Sequence, residues 1–329
     1  MAGKTENQLS LIRATESAGS VAIVGLDKNA GKTTVLNALV HAWQDMPRRI
    51  ILTSIGYDGE LKDLLHGHAK PQVYMFPGMG VVTAASFLST ATIDPEIRAV
   101  FSGDSVFGPP VLAKANHAGF VVLSGPSALA LLVEIKAYIR SEWPKSLFII
   151  DGAFGRRTNA SAAYADRVIF CLSGAGVTPA ELAAAFAHRQ ALLTIPLAAE
   201  TLQRKLTGVL KRAETALISL DGKAGGQNAL YVRGALTDSV LLHWLANGLK
   251  PADLVVAEDR ANVFLTKTAW RQLEKNAIEL QALNGADLAL VAFNPRGVRE
   301  AAPYLLALKK IARVPVIMLD TLPAIGKAI

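Results

Sequence analysis

The segment Ser20-Val-Ala-Ile-Val-Gly25-Leu-Asp-Lys-Asn-Ala-Gly31-Lys32-Thr33-Thr34 holds residue types that bind phosphate. A run of β-branched residues leads into a loop bracketed by two glycines, and a helical pattern follows at once. That order aims loop amides and the positive end of a helix at one anion. Lys32 would reach the β- and γ-phosphate oxygens of a nucleotide, and Thr33 would set its hydroxyl against Mg²⁺. Gly31 lets the backbone approach the phosphates without a Cβ in the way. Gly25, Asn29, Ala30, Gly31, Lys32, Thr33 and Thr34 are therefore the candidate nucleotide-binding residues. The competing reading is a Gly-Lys-Thr that merely starts a helix.

A phosphate-binding loop that works on a nucleotide needs carboxylates for Mg²⁺ and for the attacking water or substrate. Leu147-Phe-Ile-Ile-Asp151-Gly152 ends an apolar strand in Asp151, which would deliver a carboxylate to the sheet edge beside the loop and support the metal together with Thr33. Its alternative role is to cap a following turn. Ile50 to Ser54 runs into Ile55-Gly-Tyr-Asp58-Gly-Glu60. Asp58, paired with Lys32 as the candidate catalytic residues, is the preferred activator or indirect Mg²⁺ ligand. Glu60 is its rival, and a plain turn acid is the third reading. No Asn-Lys-x-Asp guanine-reading motif occurs, which favours adenine and hence ATP.

Other reactive residue types lack company. His66 and His68 are close in sequence but a metal site needs three or four convergent ligands, so surface loop histidines are expected. Glu258-Asp259-Arg260 and Asn294-Pro-Arg296 follow apolar runs and either line a ligand cleft or form charged turns, with turns favoured.

Positioning the loop requires a sheet. Val21 to Val24, Ile50 to Ser54, Phe120 to Leu123, Leu147 to Ile150 and Val168 to Leu172 are short apolar runs separated by helical patterns. Such runs predict a doubly wound parallel sheet buried on both faces, an α/β fold. Helices are predicted over Lys32–Trp43, Leu129–Ile139 and Pro179–Leu192. An amphipathic helix is expected from Leu202, with Leu206, Val209, Leu210, Ala213 and Leu217 on its apolar face. Prolines 71, 77, 109 and 110 mark residues 61–115 as an insertion of loops with one strand near Val73 to Phe76. Asp221 to Asn228 reads as a linker. After it Leu230 to Val232, Leu254 to Ala257, Leu288 to Phe293 and Val316 to Leu319 read as strands, with Trp270, Leu273, Ala277 and Leu280 on one helix. The expected division is a polar segment over 1–18, a nucleotide-binding domain over 19–222 and a smaller α/β domain over 226–329.

Composition narrows the classes. Hydrophobic residues form 51% of the 329 and charged residues 19%, enough to bury a core and too little charge for a disordered chain. A net charge of +7 suits an anionic ligand and is too thin to imply nucleic acid. The single cysteine, Cys171, lies in an apolar run and cannot form an internal disulfide, which fits a reducing cytoplasm. The first eighteen residues lack a secretory core and the longest apolar stretch, from Ala118, is broken by Ser124-Gly-Pro-Ser127, so neither export nor a membrane span is expected.

The loop has five residues between Gly25 and Gly31, one more than the common form. In this it resembles the Gly-x-Asp-x-x-x-Gly-Lys-Thr loop of dethiobiotin synthetase and cobyric acid synthase-like proteins, which share a branch with the MinD and nitrogenase iron protein ATPases. Where many of those carry a signature lysine, this chain has Asp27, and Lys28 is one step out of register. Val24 to Thr33, Thr53-Ser-Ile-Gly-Tyr-Asp-Gly-Glu60 and Ile150-Asp-Gly-Ala153 with Arg156 and Arg157 together resemble the small subunit of lysine 5,6-aminomutase reactivases over residues 20–175. The resemblance implies an accessory ATPase that works with a MutS-like ATPase partner on an adenosylcobalamin-dependent aminomutase, using Mg-ATP to release damaged cofactor. The segment Gly56 to Glu60 would transmit the nucleotide state. The alternative is a dethiobiotin synthetase-like ligase, for which Lys114, Asn116, His117 and Ser124 to Ser127 are acceptor-side candidates.

Overall fold

The computed structural model describes residues 5–27, 29–55, 72–103, 107–126, 128–152, 161–210, 214–220 and 226–319. They form two compact units. The first comprises Met1–Gly155, Ala163–Phe186 and Leu288–Ile329, and the second Arg156–Ala162 and Ala187–Asp287.

In the first unit α1 (Glu6–Thr15) opens with a capping box, Thr5 accepting from the Gln8 amide while the Gln8 side chain accepts from the Thr5 amide. It leads to β1 (Ser20–Gly25), every residue of which is buried, and then to α2 (Lys32–Trp43). The chain continues through β2 (Ile50–Ile55), β3 (Gln72–Met75), β4 (Gly80–Ala84), the single turn α3 (Ala85–Leu88), β5 (Pro95–Val100), β6 (Pro110–Ala115) and β7 (Gly119–Val122). Next come α4 (Leu129–Glu142), β8 (Leu147–Gly152), β9 (Arg167–Ser173) and α5 (Pro179–Leu193), within which the division between the units falls. The second unit holds α6 (Glu200–Leu210), β10 (Thr215–Ser219), β11 (Asn228–Val232), β12 (Leu236–Thr237), α7 (Asp238–Asn247), β13 (Leu254–Asp259), β14 (Val263–Phe264), α8 (Lys267–Lys275) and β15 (Glu279–Asn284). The chain then returns to the first unit with β16 (Asp287–Asn294), α9 (Ala302–Ile311) and β17 (Val316–Met318).

Among the described residues nine strands make the main sheet, in the order β17-β16-β9-β1-β8-β2-β4-β6-β5. β1 is central and parallel to β8 and β9, and β2 is parallel to β8 and β4. β6 runs antiparallel to its two neighbours, β4 and β5. The fold is thus α/β with a large, mainly parallel sheet. Leu11, Ile12, Leu36, Leu39, Ile23, Leu52, Ile149 and Ile169 lie in one buried cluster joining α1 and α2 to the sheet. A continuous apolar β1 is what a strand covered on both faces requires.

Several expectations need correction. Residues 61–115 are more than loops with one strand, because their described part supplies β4, β5 and β6, which extend the main sheet. Pro110 is compatible because it is the first residue of its strand. The strand at Phe120 pairs antiparallel with β3 in a separate ribbon and does not join the parallel sheet. The 226–329 domain is overturned: β16 and β17 belong to the main sheet, and the second unit ends at Asp287. The boundary at 222 also fails, since β10 and β11 are antiparallel neighbours in one four-stranded sheet, β10-β11-β13-β15. Leu217 lies on β10 and not on the helix begun at Leu202. The helix carrying Trp270 and Leu273 stops at Lys275, with Ala277 at φ 51° and Leu280 already on β15.

Candidate functional site

The loop after β1 sits where the carboxyl ends of the parallel strands converge. Asn29 and Gly31 both adopt left-handed backbone, φ 64° and 96°, and Gly31 serves as N-cap of α2 with no side chain to cap it. Val35 N donates to Gly31 O at 3.1 Å as the first helical bond, which leaves the amides of Lys32, Thr33 and Thr34 outside the helical ladder and at the positive end of the helix dipole. The left-handed φ of Gly31 is what calls for glycine, and a Cβ there would also have to displace the end of the Leu319 side chain. Gly25 is tight for a different reason. A Cβ there would lie 3.0 Å from Ala30 Cβ and 3.3 Å from Lys32 Cγ, because the loop folds back and the aliphatic part of Lys32 crosses the end of β1.

Asp151 enters the same place from β8. It pairs with Ile23 on one side and with Ser54 on the other, near the carboxyl ends of both neighbours, and is half-buried. Cys171 of β9 pairs with Gly25, and its carbonyl accepts from the Leu26 amide at 3.0 Å. Burial pushes the Cys171 thiol far up, with the Lys32 ammonium opposing and the Asp151 carboxylate adding to the shift. That pattern marks an ammonium and a carboxylate both acting on the strand ends beneath the loop, and it keeps the thiol protonated and inert.

Of the predicted residues, Gly25, Asn29, Ala30, Gly31, Lys32, Thr33 and Thr34 all lie in this loop and first helical turn, and Asp151 stands beside them. Ala30 is fully buried, so its side chain packs and only its backbone can face a ligand. Thr33 is half-buried and Thr34 exposed. Asp58 and Glu60 lie outside the described residues, as do Lys28, His66, His68, Arg156 and Arg157. Among the described residues no group of His, Cys, Asp and Glu is placed to hold a metal by protein ligands alone, and no helix is long and apolar enough to cross a membrane.

Asn294-Pro-Arg296, for which the sequence favoured a charged turn over a cleft wall, forms the turn and also lines a pocket beside the loop. Asn294, at the end of β16, donates from Nδ2 to Asn29 O at 2.9 Å and so pins the left-handed corner of the loop. Its Oδ1 accepts from the Arg296 amide at 3.0 Å, closing a tight turn. Asn294, Pro295, Arg296, Arg299, Thr34 and Leu319 line a pocket of about 430 Å³ that opens beside the first turn of α2. The Asn-Pro-Arg signal was visible after an apolar run, but its nearness to the loop depends on β16 joining the main sheet.

Ser127 lies outside the described residues, and among the described acceptor-side candidates Lys114 and His117 do not converge with Ser124. Ser124 reaches the carboxyl-end edge, where its carbonyl accepts from Ala84 N at 2.9 Å and the next amide, Gly125 N, donates to Ser54 Oγ at 3.1 Å. Lys114 pairs with Gly80 at the opposite edge and is held by Glu96 at 3.0 Å, while His117 meets Asp94 at 3.4 Å. Asp259 and Arg260 are structural in the second unit. Asp259 accepts from Ser161 Oγ, Ala162 N and Ala261 N, and Arg260 donates to Ile195 O, Ala286 O and Asp287. No family model, curated protein or solved structure matches the chain.

Proposed function

We propose that the chain is a P-loop nucleotide-binding protein that takes Mg-ATP at residues 25–34 and acts as an accessory reactivase of an adenosylcobalamin-dependent aminomutase, beside a MutS-like ATPase. The observation that supports the nucleotide half is the placement of Lys32 over Gly25 and next to the Asp151 strand end, under a loop with two left-handed corners. In this reading Lys32 meets the β- and γ-phosphates, the Thr33 hydroxyl binds Mg²⁺, and Asp151 supports that ion. The nucleoside lies in the pocket between Thr34 and Asn294 to Arg299. Hydrolysis transfers the γ-phosphoryl group to water, and Asp58 orients that water.

The reactivase half rests on the three quoted motifs. A nucleotide can move a partner only through its differential affinity for two states of this surface. ATP turnover should therefore be slow for the chain alone. It should rise when an aminomutase inactivated by bound hydroxocobalamin is added with the larger ATPase partner, and mutase activity should return once fresh adenosylcobalamin is supplied. Rapid ATP consumption by the lone chain in the presence of a small carboxylic acid or amine, with no association with a mutase, would favour the ligase instead.

A further inference from the structure

A second cavity, of about 560 Å³, lies at the opposite edge of the main sheet from the loop, where three connections meet at the amino ends of β2, β4 and β8. Val40 and residues 43–44, 46–50, 76–79 and 142–146 form it, all within the first unit. Its volume falls in the range of small-molecule sites, roughly 300 to 1,000 Å³.

One wall is rigid. The Arg48 guanidinium donates to the carbonyls of Thr15, Glu16, Ala18, Lys145 and Ser146, tying the end of α1 to the turn before β8. Trp143 is seated on the sheet edge because Gly80 has no side chain: a Cβ there would be 3.0 Å from the indole Cζ3. Gly78, at φ 84°, has nothing within 4 Å of where its Cβ would stand, so the floor is open at that point.

Arg49 differs from Arg48 in having no such duty. Its guanidinium lies 4.3 Å from the centre of the Trp143 ring, and among the described residues it donates no hydrogen bond and meets no carboxylate within ion-pair distance. Burial first, and then the charge of Arg98, lower its pKa, with Glu96 opposing. Glu96 is already engaged by Arg98 at 2.7 Å and by Lys114 at 3.0 Å. A guanidinium stacked on an indole keeps its in-plane N–H donors, and such a fork matches a carboxylate. The cavity lining adds Arg48 and Lys145 against one acid, Glu142, with Phe76 and Met79 as apolar surface.

We propose that this cavity is a binding site for a small organic carboxylate with an apolar or aromatic body, the carboxylate on Arg49 and the body against Trp143, Phe76 and Met79. The site is separate from the nucleotide loop and stands whether or not that loop binds ATP.

The test uses the full-length chain titrated by calorimetry with 2-naphthoate and with its neutral analogue 2-naphthamide. The acid should bind at least about tenfold more tightly than the amide, as a charge-assisted hydrogen bond requires. Arg49→Gln should erase that preference, Arg49→Lys should keep part of it, and Trp143→Leu should weaken both ligands. Circular dichroism of each variant separates loss of binding from loss of fold. Equal affinity for acid and amide, unchanged affinity in folded Arg49→Gln, or no binding of 2-naphthoate at millimolar concentration would overturn the proposal.

Discussion

Lys32→Ala is expected to lower the affinity for Mg-ATP by roughly 10- to 100-fold, the factor for losing charge-assisted hydrogen bonds of about 1.5 to 3 kcal/mol. The fold should survive, because the position is only half-buried and the packing that Lys32 supplies is its aliphatic stem over Gly25. A change in unfolding free energy of about 1 kcal/mol or less is expected for a half-exposed position of this kind. Calorimetric titration with Mg-ATP, beside urea denaturation of the same preparation, reads both quantities. Equal affinity in a folded Lys32→Ala chain would remove the loop from the mechanism.

Asp166→Ala should have the largest effect on stability, a loss of about 2 to 3 kcal/mol, because it breaks a partly buried ion pair, the carboxylate being 32% exposed, and leaves the buried Lys136 ammonium uncompensated. Asp166 Oδ2 accepts from Gly19 N at 2.8 Å and Ser20 N at 3.0 Å, at the entry to β1. Its Oδ1 accepts from Lys136 at 3.0 Å and Arg140 at 3.1 Å. Lys136 is only 5% exposed, so without Asp166 an ammonium is stranded in the interior. Burial by itself would raise the pKa of Asp166, but the Lys136 bond and charge, then Arg140 and Ser20, hold it below the ordinary carboxylate range. A folded pKa below the unfolded value gives stability that is complete above the unfolded range, about pH 4, and is lost as pH falls through the folded value. Lys136 is shifted down, chiefly by burial, and that shift acts on the alkaline side. Urea unfolding at a series of pH values should therefore show an acid limb in the parent chain that is shallower in Asp166→Ala. Parallel pH profiles would contradict the role given to this carboxylate.

The strand, loop and helix around Gly25 to Thr34 were legible because their signals are local. Val21 to Val24 must be a strand, Gly31 must be a glycine, and Lys32 to Trp43 follows with helical spacing, so strand, loop and helix stand next to one another in sequence. Asp151 was legible for the same reason, as an acid ending an apolar run. Asn294 was not, because its contact with Asn29 spans 265 residues and depends on which sheet β16 joins. Apolar spacing shows that Leu288 to Phe293 is a strand, yet it carries no record of the neighbour. The helix expected to run through Leu217 failed where a 3.6-residue pattern also fits a strand: Leu217 is partly exposed on β10 while Ile218 packs against the second unit's core. Prolines 109 and 110 suggested a loop, but a proline at the first position of a strand gives up no ladder bond that the sheet needs.

Hydrogen–deuterium exchange of the full chain, with and without saturating Mg-ATP, tests the central claim most directly. Bound nucleotide should protect the amides of residues 25–36 and, through the pocket wall, those of 294–299, while the second unit's sheet stays unchanged. Unaltered exchange over 25–36 at millimolar Mg-ATP would contradict the assignment of this loop as the nucleotide site.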